Sequence, residues 1–288
     1  MRGRLIACLL ALAAPAQAEN FDPVAALDRL VAAYPDALAG HDGTTLIWRD
    51  GTRMPADDGA PDRSEAARIE HASILDMLRP DSLDPGRVRN AAFFDKMYGI
   101  CTKGGVVGDL APVAWLGGQR LVATTRNGVA AALQAVADEI KALPEEDRRY
   151  ATPSAGTYKC REIAHAGRPS MHAYAAAIDL NTHLTSYWQW GGGRRPVPEA
   201  IVRIFARHGF IWGGDWAHYD TMHFEYRPEL LPDYVASRSS LASTASPMPL
   251  VPVAVQPGAI TSGVRSPAAS TSEQARSTKA ASSSSPNE

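Results

Sequence analysis

Ser170-Met171-His172-Ala173-Tyr174-Ala175-Ala176-Ala177-Ile178-Asp179-Leu180-Asn181 ends in a short apolar run that reads as a buried strand. Alternate residues of a strand share a face, so Ile178 and Leu180 point into a core and Asp179 points the other way. His172 precedes the run in a segment of small residues that can fold back and bring its imidazole beside Asp179. A second stretch, Gly213-Gly214-Asp215-Trp216-Ala217-His218-Tyr219-Asp220-Thr221-Met222-His223-Phe224-Glu225-Tyr226, also ends in alternation. There His223 and Glu225 share one face while Phe224 and Tyr226 anchor the other. Two adjacent strands of this kind put His172, Asp179 and His223 around one point. Three protein ligands with a fourth position left for water make a catalytic rather than a structural zinc site. Asp220, three residues before His223, is placed to take a proton from that water as general base. A lone histidine is more often a hydrogen-bonded core or surface residue. It is the two stretches together, in this order, that point to a metal.

At these residues a family resemblance emerges. Ser-x-His-x-x-x-x-Ala-x-Asp (Ser170 to Asp179), followed by Gly213-Gly214-Asp215-Trp216 and Asp220-x-x-His223-Phe224, resembles the VanY-type D-alanyl-D-alanine carboxypeptidases and L-alanyl-D-glutamate peptidases. These are zinc peptidases grouped with lysostaphin and the hedgehog domain. The resemblance runs from about Tyr158 to Glu229 and more faintly back to Asp84. It implies one zinc ion per chain on His172, Asp179 and His223, with Asp220 as base and the peptidoglycan stem peptide as substrate. It also implies that Arg161, in Tyr158-Lys159-Cys160-Arg161, faces the substrate carbonyl or carboxylate. The implied fold is α+β, with a small antiparallel sheet, helices on one side and the zinc cleft at the other. Ala175 stands where the family usually has Gly, and Ala does not adopt φ > 0 cheaply. The loop after His172 is therefore expected to differ slightly, with every ligand position filled. An Asp base, with Met222 rather than Trp before the histidine, leans toward L-alanyl-D-glutamate endopeptidase activity. D-alanyl-D-alanine carboxypeptidase activity is the alternative, as is a non-catalytic cell-wall-binding module, although such a module needs no general base.

The rest of the chain sets the context. Met1-Arg2-Gly3-Arg4, an apolar run and Ala16-Gln17-Ala18 read as a signal peptide over residues 1–18, which carries Cys8 away. The apolar run is too short to span a bilayer, so an exported protein, periplasmic or secreted, is expected. That leaves Cys101 and Cys160, either a disulfide tying the segment around Tyr98 to the edge of the site or two unpaired thiols. The net charge of −2, with no basic cluster, gives no support to nucleic-acid binding.

Three further segments follow from pattern and composition: an N-terminal accessory segment over 19–110, the catalytic domain over 111–236, and a disordered tail over 237–288. The tail is rich in Ser, Ala and Pro and cannot bury enough apolar surface to offset its ordering entropy. Helical spacing is read over 21–39, with Asp22-Pro23 as cap, and again over 65–78, 129–143 and 198–208. Strands are read over 44–49, 113–116, 121–124 and 156–161, and Asp50-Gly51 as a hairpin turn. The stretch 84–99, opened by Pro85-Gly86, reads as an amphipathic packing segment. Tyr187, Trp188 and Trp190 offer a platform for a glycan or peptide stem, with a packed loop as the plainer reading. His183 and His218 are substrate-contact candidates, and Asp215 is a loop-fixing carboxylate.

Overall fold

The computed structural model describes residues 21–60, 62–161 and 168–234. The expected leader (1–18) and tail (237–288) lie outside them. Helix α1 (Pro23–Ala33) begins as its sequence dictates: Asp22 accepts from the amides of Val24 and Ala25, and Pro23 fills the first turn. It stops short of Ala39 because Pro35 drives Tyr34 out of the helical region. Strands β1 (Leu38–His41), β2 (Thr45–Trp48) and β3 (Arg53–Pro55) then form an antiparallel sheet, with Asp50-Gly51 turning between the last two. The single helix read over 65–78 is two, α2 (Glu65–Glu70) and α3 (Ile74–Met77). Ser73 and Asp76 bond each other's amides in a capping box, which opens a new helix in mid-pattern. Helix α4 (Ala91–Tyr98), capped by Asn90, buries Phe93, Phe94, Met97 and Tyr98.

Strands β4 (Leu110–Ala114) and β5 (Arg120–Thr124) make a hairpin covered by α5 (Val129–Ile140), and α6 (Glu145–Arg148) follows. The segment over 156–161 is not a strand. Gly156 makes one isolated bridge to Asp179, and the chain then wraps round the metal turn, where the Lys159 amide donates to the His172 carbonyl at 3.1 Å. Cys160 in this segment is joined to Cys101 by a disulfide.

The last sheet positions the site. It contains β6 (Ala177–Asp179), β7 (Phe210–Trp212) and β8 (His223–Tyr226), with β8 in the middle and both pairings antiparallel. Helix α7 (Glu199–Arg207) lies against this sheet, with Phe205 stacked on Phe224 at 3.9 Å between ring centroids. One hydrophobic cluster runs from Leu27 in α1 through Phe93 and Ile178 to Tyr226. The segment read as an accessory therefore shares its core with the part that carries the histidines. The architecture is α+β as expected, although its antiparallel strands are divided among three small sheets. Among the described residues no helix is long and apolar enough to cross a membrane.

Candidate metal centre

Strand register brings the first two groups together. Asp179 of β6 lies directly opposite His223 of β8, and Ala177 lies opposite Glu225. His172 arrives from a short 3-10 turn (Met171–Tyr174), and its own amide donates to the Ser170 hydroxyl. The turn ends on Ala175 at φ 55°, ψ 33°, the left-handed conformation that would favour glycine there. That residue reverses the chain, so that the Ala176 amide reaches back to the Met171 carbonyl and β6 starts at once.

His172 Nε2, His223 Nδ1 and the Asp179 carboxylate converge. The two nitrogens are 3.2 Å apart, and Asp179 Oδ1 lies 3.0 Å from His223 Nδ1 and Oδ2 lies 3.2 Å from His172 Nε2. A tetrahedral zinc with bonds of about 2.0–2.1 Å would hold its ligand atoms roughly 3.3 Å from one another. The three groups therefore stand nearly at the spacing such an ion requires, and together they could hold one metal.

The far side of each ring fixes its tautomer. His172 Nδ1 lies 2.6 Å from the Thr157 carbonyl, which can only accept, so the proton sits there and the Nε2 lone pair faces the centre. His223 Nε2 lies 2.9 Å from Glu225 Oε2, which fixes its proton there and leaves Nδ1 facing the centre. Such outer partners orient metal-binding histidines and raise their basicity. Burial alone would lower the His223 pKa, but its bonds to Asp179 and Glu225 more than reverse this and raise it to about 10. Burial opposes ionisation of Asp179 too, yet the charge of His172 and the bonds to both imidazoles hold its carboxyl well below the usual range. The centre is thus built to hold positive charge.

Glu225 is the residue whose importance the sequence understates. Read only as sharing a face with His223, it is fully buried and meets Arg89 Nη1 and Arg227 Nη1, each at 3.3 Å. Burial would raise its carboxyl, but Arg89, the His223 bond and Arg227 bring it down to about 2. Arg227 continues to Glu229 (2.5 Å), and Glu229 accepts from Tyr34, the residue that caps the end of α1, at 2.7 Å. A buried polar chain thus links the first helix to a candidate metal ligand. Glu225, Arg227 and Glu229 are close in sequence, but Tyr34 and Arg89, which complete the chain, are more than a hundred residues away.

Asp220 sits in the turn just before β8. Its amide donates to the Gly213 carbonyl at 2.8 Å, and its carbonyl accepts from the His223 amide at 3.2 Å. A Cβ on Gly213 would come 2.7 Å from the Asp220 carbonyl oxygen, so only glycine allows this close approach. The Asp220 Oδ1 is buried with no hydrogen-bond partner. Burial raises its carboxyl to about 6, with His223, Asp179, Arg87 and His172 as the charges acting on it most. An unsatisfied carboxylate beside a cation site can accept a proton.

Other sequence candidates fall elsewhere. Arg161 is exposed, and its side chain makes no hydrogen bond or ion pair among the described residues. Asp215 is also exposed. The His218 ring bonds buried Asp84 at 2.7 Å and meets Trp188 edge-on at 4.6 Å. Tyr187 pairs by backbone with Asp220, which hangs the exposed Trp188 and Trp190 beside it. The His183 amide donates to Asn181 in a local turn.

Fold and site together bring two imidazoles and a carboxylate to one point where a metal ion could be held. Residues 164–226, which contain His172, Asp179, Asp220 and His223, match the family model described as D-alanyl-D-alanine carboxypeptidase. No curated protein and no solved structure matches the chain. The family match agrees with the resemblance read from the sequence. Its description is the one the sequence reading held as its alternative, and it does not carry the endopeptidase specificity toward which that reading leaned.

Proposed function

We propose that the protein is an exported zinc D-alanyl-D-alanine carboxypeptidase, acting on the peptidoglycan stem peptide with His172, Asp179 and His223 as its metal ligands. The observation that carries this reading is the convergence of three ligand atoms, both imidazoles oriented by a bond on the far side of the ring, near a carboxylate whose Oδ1 is buried without a partner. Zinc held there supplies a Lewis acid that polarises the scissile carbonyl and lowers the pKa of water. Asp220 takes the proton of the attacking water and passes it to the departing amine. Thr157 and Glu225 keep the two imidazoles in register, and Arg161 faces the substrate carbonyl as the resemblance aligns it. Preference for the carboxypeptidase over the endopeptidase reaction rests on the family description of residues 164–226.

The test pairs zinc analysis with mass spectrometry of digested muropeptides. Wild-type protein should hold one zinc and release terminal D-alanine. His172→Ala and His223→Ala should lose metal and activity together. Asp220→Ala should keep the metal and lose turnover by a factor on the order of 10²–10⁴. Undiminished zinc in both histidine variants would refute the ligand assignment, and cleavage after L-alanine would restore the endopeptidase reading.

A further inference from the structure

Arg168 lies two residues before Ser170, where the chain enters the turn that presents His172. It is only 7% exposed, and its Nε and Nη1 are buried without a hydrogen-bond partner. Among the described residues it forms no salt bridge. Burying a guanidinium without an anion is among the more expensive things a fold can do, at several kcal/mol per uncompensated ion. Something with negative charge belongs against it.

Its neighbours do not provide that charge. Arg89, Glu225, Arg87 and Arg227 are the charges that act on Arg168 most, and burial with Arg89 beside it lowers its pKa to about 10. Glu225 is already shared among His223, Arg89 and Arg227, and Glu229 is taken by Arg227 and Tyr34. Within this cluster Arg89, Arg168 and Arg227 therefore stand against Glu225 and Glu229, leaving one positive charge over. The metal centre does not absorb it, because Asp179 and Asp220 between them balance a divalent cation. Arg89 is bonded to the same carboxylate that holds His223, and Arg87 acts on both Arg168 and Asp220. The surplus charge is thus tied through shared partners to the ligand on one side and the proposed base on the other.

We infer that Arg168, with Arg89 beside it, forms the pocket for the free C-terminal carboxylate of the peptide substrate. The inference rests on the peptidase reading above and deepens it, by naming the residues that hold the carboxylate next to the bond cut. A guanidinium offers two parallel N–H donors that match a carboxylate and no neutral group so well. A peptide whose residue after the cut bond carries no carboxylate would leave this guanidinium bare in its complex. Arg161, exposed, is left to the carbonyl.

The experiment compares diacetyl-lysyl-D-alanyl-D-alanine with its C-terminal amide. Binding is read by calorimetry on zinc-loaded, full-length protein carrying Asp220→Asn, so that the peptide stays intact. Hydrolysis is read on the wild type. The acid should bind more tightly than the amide by on the order of 10²-fold. Adding Arg168→Gln should erase most of that preference at unchanged zinc content, and Arg168→Lys should restore part of it. Equal binding of acid and amide by the parent protein overturns the inference without any Arg168 variant, and so stands even if Arg168→Gln does not fold. A preference that survives Arg168→Gln, or one abolished instead by Arg161→Gln, overturns it too. Failure of the wild type to cleave either peptide would sink the peptidase reading alone, since the calorimetric preference still decides the carboxylate pocket.

Discussion

Asp220→Asn should make the metal-free protein more stable while ending its activity. The reason lies in the environment of one carboxylate. Burial raises the Asp220 carboxyl from its ordinary 3.8 to about 6, and its Oδ1 has no donor to offset the lost hydration. One pKa unit corresponds to 1.36 kcal/mol, so ionising this group in the fold costs about 3 kcal/mol at most. The sign follows from proton counts. Between about pH 4 and pH 6 the native chain keeps a proton that the unfolded chain has released. Stability on this account falls as pH rises through that window, and the full cost is present above it. Asparagine has the same shape and no charge to desolvate. The variant should therefore equal the wild type near pH 4 and exceed it by roughly 1–3 kcal/mol near pH 7. Urea unfolding of chelator-treated wild type and variant across this range measures the difference, in which the shared titrations of His223, Asp179 and Glu225 largely cancel. With zinc bound the gap should narrow, because a cation nearby offsets the cost of the charge. A variant no more stable than wild type at pH 7, or a gap that does not grow with pH, would refute the reasoning.

Two further outcomes follow from the buried polar chain and the disulfide. Glu225→Gln keeps the shape but leaves Arg89 and Arg227 without their shared anion. It should weaken zinc binding by about 10–100-fold and lower stability by roughly 3–5 kcal/mol, read by competitive chelator titration and urea unfolding; unchanged zinc affinity would show that Glu225 does not support His223. Replacing Cys101 and Cys160 with serine opens a loop of sequence separation 59. Chain entropy predicts a loss of about 4 kcal/mol, with zinc stoichiometry unchanged; a loss of metal would mean that the bridge positions the 3-10 turn through the 156–161 segment.

How much of this was legible beforehand depended on sequence distance. The chain alone marked His172, Asp179 and His223, because strand alternation and a short turn operate over a few residues and leave a local pattern. It marked the start of α1 through Asp22-Pro23, and α7 through its helical spacing. It misread 65–78 as one helix, because a capping box at Ser73 and Asp76 outweighs apolar periodicity. It also misread 156–161 as a strand, because that segment bonds the turn around His172 instead of a neighbouring strand.

Only the tertiary structure decided which histidine nitrogen faces the centre. That choice belongs to Thr157 and Glu225, of which the first is remote in sequence and the second carried no sign of its burial. The same holds for the surplus charge at Arg168 and the link from Tyr34 through Glu229 and Arg227 to Glu225. Desolvation makes those groups matter, and burial of a charge is a property of everything packed round it, which no short window of sequence contains.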